Sequence, residues 1–243
     1  MLNFLKTKIK KYIHIWPVLY FFIYMPWFLY LENIYHAGYK GLHIIHCPLD
    51  DIMPFCEFFI VPYVLWFLYI PAVFLFMFYH SKNEFYRLCA YEFIGMTICL
   101  IIYSVYPNGI ELRNNLSSID RHNIFIEVVR FLRNNDTPTN VCPSIHVFAT
   151  ISAHLCLIKS PHMQYSKTRS KIKVGSLILT IAICLSTIFL QQHSIIDLLC
   201  GAILSFALYF LIFKVLFKNT TFPGPDKIEP DKHQVLLFLN KNK

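Results

Sequence analysis

The sequence predicts an all-α fold, a six-span transmembrane helix bundle with an active site on its outer face. Composition is the first observation behind this reading. Of 243 residues, 56% are hydrophobic and 17% aromatic while only 15% are charged, and the mean hydropathy is +0.48. That is too apolar and too poor in charge for a soluble globule. Length is the second. Apolar runs that approach or exceed the ~18 residues able to cross a ~30 Å hydrocarbon core lie at 13–31, 58–79, 88–105, 144–158, 174–190 and 195–217. The fourth is the shortest, and its assignment as a span leans on its neighbours. Charge placement is the third.

The formal charge is +8, but the basic residues sit between apolar runs rather than in a groove with exposed aromatics, so nucleic acid is not an expected partner. With the amino terminus inside, only Lys40, Arg113, Arg121, Arg130 and Arg133 of the 22 basic residues fall on the outer side. This asymmetry predicts an integral, multi-pass protein with both termini cytoplasmic. Run 13–31 follows a lysine-rich start as a signal peptide would. Pro17 and Pro26 interrupt it and no small-residue cleavage site follows, so it reads as a retained span. Residues 1–218 form one membrane domain without internal repeats. Beyond it, Pro223, Gly224 and Pro225 break any helix and charges return, the pattern of a cytosolic tail over 219–243.

The segment after the first span carries Asp50 and Asp51 next to Pro54, read as a solvated helix start with Asp at its cap. His43 and His46 are three apart, but no further spaced ligands accompany them and no metal is assigned. In the long loop before Cys142, residues 120–136 place Ile124, Phe125, Val128, Val129 and Leu132 at helical spacing, the pattern of an amphipathic helix lying on the leaflet surface with snorkelling arginines. Cys99, Cys156, Cys184 and Cys200 lie in apolar runs and serve as small apolar residues. Cys47, Cys56 and Cys142 fall on the outer side, where a disulfide is permitted, but no spacing identifies a pair.

Two stretches carry chemistry. Cys142-Pro143-Ser144-Ile145-His146 opens the fourth run, where a helix start offers unpaired N–H groups and a positive dipole end to a phosphate oxygen, with His146 close enough to protonate a leaving group. Ser186-Thr187, then His193 and Asp197, straddle the fifth and sixth runs. A carboxylate inside a membrane helix is costly unless paired, and His193 four residues earlier is its nearest partner. The pair can share a helix face, leaving one ring nitrogen of His193 free to attack. The assumed topology puts both stretches on the same outer face. Gly201 and Ser205 form a small-xxx-small step that lets another helix come close.

These residues resemble the type 2 phosphatidic acid phosphatase superfamily of membrane phosphatases and phosphotransferases. Its pattern is Lys, six residues, Arg-Pro; then Pro-Ser-Gly-His; then Ser-Arg, five residues, His, three residues, Asp. The chain matches the second part with Ile145 for Gly and the third with Thr187 for Arg. Arg113 is the counterpart in the first part, with Tyr106 where Lys is expected and Asn114 where Pro is expected. The resemblance implies His193 as nucleophile forming a phosphohistidine, Asp197 orienting it, and His146 as proton donor to the leaving alcohol. Arg113, Ser144 and Thr187 would bind phosphate. No metal and no cofactor are implied. Two of the family's three phosphate-holding cations are absent, and each charge-assisted bond contributes roughly 1.5 to 3 kcal/mol. Thr187, Gln191 and Gln192 are expected to donate hydrogen bonds instead, or Arg121, Arg130 and Arg133 to approach from the loop.

The function expected is release of phosphate from lipid phosphate monoesters of the phosphatidic-acid or polyprenyl type, with a lipid in the bilayer as partner. The alternatives are a headgroup phosphotransferase similar to the inositol phosphorylceramide synthases, which would suit a less charged phosphodiester, and a catalytically silent membrane scaffold. Retention of His146, His193 and Asp197 together argues against the scaffold.

Overall fold

The computed structural model describes residues 13–114, 116, 119, 122–163 and 167–218. The expected tail and Arg121 lie outside the described residues. Seven helices account for most of them. Helix α1 (Ile13–Ile34) opens with a 3₁₀ segment, Ile13–Tyr20, around Pro17. It is followed by α2 (Ile60–His80), α3 (Lys82–Val105), α4 (Ile124–Asn135), α5 (Ile145–Lys159), α6 (Lys167–Phe189) and α7 (Ile195–Phe210), the last continued by one wider π turn, Leu211–Leu216. Helices α2 and α3 form a hairpin around the single residue Ser81, whose N–H closes α2 on Met77 and whose hydroxyl accepts from Glu84 N to cap α3.

Five helices, α1, α2, α3, α6 and α7, are long and apolar enough to cross a membrane. The run predicted as a fourth span, α5, has 15 residues, about 22 Å at ~1.5 Å per residue against a ~30 Å core. Its position explains why a short helix suffices. It packs against α2, α3, α6 and α7, and Val147, Phe148 and Ala149 are fully buried, so its surface meets protein rather than lipid. Two glycines make room for it. A Cβ on Gly95 of α3 would fall 1.9 Å from the Phe148 ring, and one on Gly201 of α7 would fall 2.6 Å from the Ser144 carbonyl. Ser205, the other half of the small-residue step, receives the Tyr91 hydroxyl on its carbonyl at 2.5 Å.

The starts of α2, α5 and α7 and the ends of α1, α3 and α6 gather at one end of the bundle. Short strands tie the loops there: β1 (His43–Ile44) pairs in parallel with β2 (Asn108–Gly109), and Gly109 bridges to Thr139. Asn108 fixes the approach to α5, its carbonyl oxygen accepting from Val141 N and Cys142 N and its amide donating to Cys142 O.

Helix α4 differs from its expected place. Asn123 caps it through Ile126 N, but most of its apolar stripe packs inward, with Val129 buried beside Ile60, Tyr63 and Leu190 and with Phe125, Val128 and Leu132 packed against them. Ile124, at the start of the stripe, and Phe131, at the cavity, remain exposed. The stripe finds a closer apolar partner in the bundle than in a leaflet surface, and α4 roofs the end of the bundle.

Replacing Gly201 by Val should overpack the α5–α7 contact and lower stability by about 1–3 kcal/mol. Thermal unfolding in detergent measures this, and a Gly201→Val protein with unchanged midpoint would show that the close approach is not needed.

Candidate active site

The structure brings His146 and His193 together, with ring centroids 5.7 Å apart and the planes edge-on. His146 stands in the first turn of α5, held between Tyr63 and Trp66 of α2 at 4.8 and 4.5 Å. His193 leads into α7. Its N–H and that of Gln192 both donate to the Thr187 carbonyl, so the last turn of α6 folds back and presents the ring to the bundle end. Gln191 takes positive φ, 56°, to make this turn.

Asp197 is fully buried in the first turn of α7. Its Oδ2 accepts from Ser194 N at 2.9 Å, half of a Ser194–Asp197 capping box. The same oxygen faces His193 Nδ1 at 3.4 Å. Nδ1 and the second oxygen, Oδ1, are both buried without a partner, so the pair is aligned but not closed. The helix start and the imidazole together offset the burial of this charge.

The start of α7 is itself anchored by Asp50, which receives Ser194 Oγ at 2.6 Å, Ile195 N at 2.9 Å and Cys47 N at 2.8 Å. The sequence places Asp50 at a solvated helix start. It does satisfy a helix start, but that of α7, 145 residues away. Asp51 pairs instead with exposed His46, and His43 stacks on Tyr106. Ser144 caps α5, accepting from Val147 N, and its N–H donates to the Asp197 carbonyl at 3.1 Å. Thr187 turns its hydroxyl back onto the Cys184 carbonyl, and Ser186 does the same onto Ile183.

Arg113 reaches the site from the loop after β2. Its guanidinium donates to the Asp136 and Thr137 carbonyls, to Asp136 Oδ2 at 3.3 Å and to Gln192 Oε1 at 2.5 Å. Arg133 of α4 donates to the Leu190 carbonyl and Asn114. Gln191 and Gln192 therefore turn their carbonyl oxygens toward arginines. Arg130 pairs with Glu127 at the surface. Burial lowers Arg113 and Arg133, the second to about 10 with Arg113 contributing, and both stay cationic at neutral pH. Burial raises the Asp136 carboxyl against the opposing pull of Arg113 and His193.

Both histidines open on a cavity of about 770 Å³ bounded by α1, α2, α3 and α4. Its far wall is apolar, with Phe21, Phe28, Phe67, Ile70 and Met96, while Glu32, Asp136, Asn140 and Gln192 join the histidines at the polar end. Among these, Glu32, Asp136 and Asn140 were not singled out by sequence reading. Glu32 had one signal, a carboxylate closing an otherwise apolar run. Among the described residues no group of three or more His, Cys, Asp or Glu is arranged to hold a metal ion.

Residues 119–221 match the family model of the PAP2 superfamily. Over this stretch, which is less than half of the chain, the sequence is similar to that superfamily. No curated protein and no solved structure matches it. The PAP2 match spans α4 to α7 and contains His146, His193 and Asp197; Glu32, Asp50 and Arg113 lie outside it. PAP2 proteins are phosphatases or phosphotransferases, and the apolar helices agree with a membrane protein of that kind.

Replacing Asp50 by Ala should strand the Ile195 N–H and the Ser194 hydroxyl at the start of α7 and cost about 1–3 kcal/mol, with turnover falling as Asp197 loses its support. Thermal unfolding and phosphate release, measured on the same preparation, check both parts.

Proposed function

We propose that this protein is a metal-independent, membrane-embedded phosphoryl-transfer enzyme in which His193 attacks the phosphorus of a lipid phosphate and becomes phosphohistidine. The observation that carries this is the pairing of His193 with buried Asp197 on one side and His146 on the other, all at the polar end of an otherwise apolar cavity. A lipid chain fits the apolar wall while its phosphate meets the histidines. Nε2 of His193 forms the P–N bond as the P–O bond to the leaving alcohol breaks, and His146 donates the proton that alcohol needs. Water or a second alcohol, deprotonated by His146, then breaks the P–N bond. Asp197 stabilises the positive charge that develops on His193.

The first reading is hydrolysis of a phosphate monoester at the outer leaflet, with termini cytoplasmic as the charge asymmetry predicts and α5 as a sixth, protein-surrounded span. Arg113 and the N–H groups at the start of α5 hold phosphoryl oxygens, with Ser144 capping that start. Thr187 contributes through the turn it closes. The second reading, headgroup transfer from a phosphodiester, is favoured by the state of Arg113. Four protein acceptors already draw on its terminal nitrogens and Nε is the one nitrogen without a partner, so little of its donor capacity is left for phosphate, which suits the less charged diester.

His193→Ala should remove turnover and His146→Ala should lower it by about 10²–10⁴-fold, with both proteins still inserted in the membrane. Purified protein is assayed on a lipid phosphate panel with and without an acceptor alcohol. Phosphate freed without acceptor identifies hydrolysis, product formed only with acceptor identifies transfer, and full activity of His193→Ala would overturn the mechanism. Activity should persist in chelator; a strict divalent-ion requirement would contradict this chemistry.

A further inference from the structure

The polar end of the cavity holds more than the phosphoryl-transfer groups need. Glu32, in the last turn of α1, accepts from Asn140 Nδ2 at 2.7 Å and from the Thr137 hydroxyl. Because that nitrogen is committed to a carboxylate, the other amide atom of Asn140 is its carbonyl oxygen. Asn140 lines the cavity, and its Oδ1 is buried without a partner in a residue only 6% exposed. Asp136 lines the same wall and shares the one guanidinium of Arg113. The two carboxylates share one guanidinium, so this corner holds more acceptors than donors and leaves Asn140 Oδ1 unused.

We infer that Glu32, Asn140 and Asp136 form a subsite for a primary ammonium group carried by the substrate close to its phosphate. This rests on the phosphoryl-transfer reading only in placing the phosphate at His193. The ammonium supplies what the corner lacks: a positive charge for the carboxylates and an N–H for Asn140 Oδ1. The corner repels the phosphate and attracts the amine, so the two groups orient the substrate from opposite signs. A fully methylated ammonium has no N–H and leaves Oδ1 unmet, and a neutral hydroxyl leaves the charge. The amine has two chemical sources: the amino-alcohol headgroup of a phosphodiester, or an amine on a long-chain alcohol esterified as a monoester.

Binding tests the subsite without turnover. Full-length His193→Ala protein in detergent is titrated with phosphatidylethanolamine and its N-acetyl derivative, and with a long-chain 2-amino-alcohol phosphate and its N-acetyl derivative, following tryptophan fluorescence, since Trp66 lines the cavity. The free amine should bind about tenfold more tightly than its acetylated form. Preference within the first pair assigns the headgroup source, and within the second the lipid amine. Glu32→Gln and Asn140→Leu should each reduce that preference severalfold; if one variant fails to fold, the other decides. Equal affinity for amine and amide in both pairs overturns the subsite, as does a preference that survives these variants. Loss of the phosphohistidine mechanism, read separately from wild-type turnover, leaves the binding preference standing.

Discussion

The site depends on one close contact, the meeting of two helix starts. Ser144 N–H on α5 donates to the Asp197 carbonyl on α7, and Gly201, lacking a side chain, lets the backbones come that near. Everything chemical is arranged around it. His146 stands two residues beyond Ser144 and His193 four before Asp197, so fixing the two backbones fixes the distance between the rings. Hydrogen bonds between main-chain groups hold strongly where water cannot compete for them, and this contact lies among fully buried groups.

The second stretch of the site is held from outside the bundle. The turn from Leu190 to His193 is gripped by Arg113 and Arg133, and the start of α7 by Asp50. These three side chains come from different loops and helices, and each spends its charge on backbone or amide groups of the junction. The scarcity of cations in the motifs is therefore matched by a use of cations as scaffold. Arg113 would belong to both roles on the proposed reading, since its partner Gln192 adjoins His193.

What could be read from the sequence follows from which forces are local. The apolar runs and the histidine spacing were legible because a helix repeats its faces every few residues, so α2, α3, α6 and α7 lie close to where hydropathy placed them. The histidines and Asp197 were found by spacing within a single turn or junction. Asp50 and Glu32 were not, because each acts on a partner more than a hundred residues away, and nothing in its own neighbourhood records that. The stripe on α4 was read correctly as amphipathic and wrongly assigned to lipid, since periodicity reports that a face is apolar but not what covers it. The length of α5 fell short for a related reason: a helix surrounded by others need not match the bilayer.

The outer wall of the cavity has a consequence of its own. Helix α1 supplies Phe21, Tyr24, Met25 and Phe28 to the lining yet rests chiefly on α3, through rings such as Tyr20 and Phe21 against Phe93. The histidines stand on α5 and at the α6–α7 turn, and α1 reaches toward them through Glu32, which holds Thr137 and Asn140 on the loop before α5. On the proposed reading, the tail of a lipid substrate would thus meet a different part of the molecule from its phosphate. On that reading, substitutions along the apolar part of α1 would retune which tails are accepted and leave the histidine pair as it is, an economical route by which one bundle core would serve membranes of differing lipid composition.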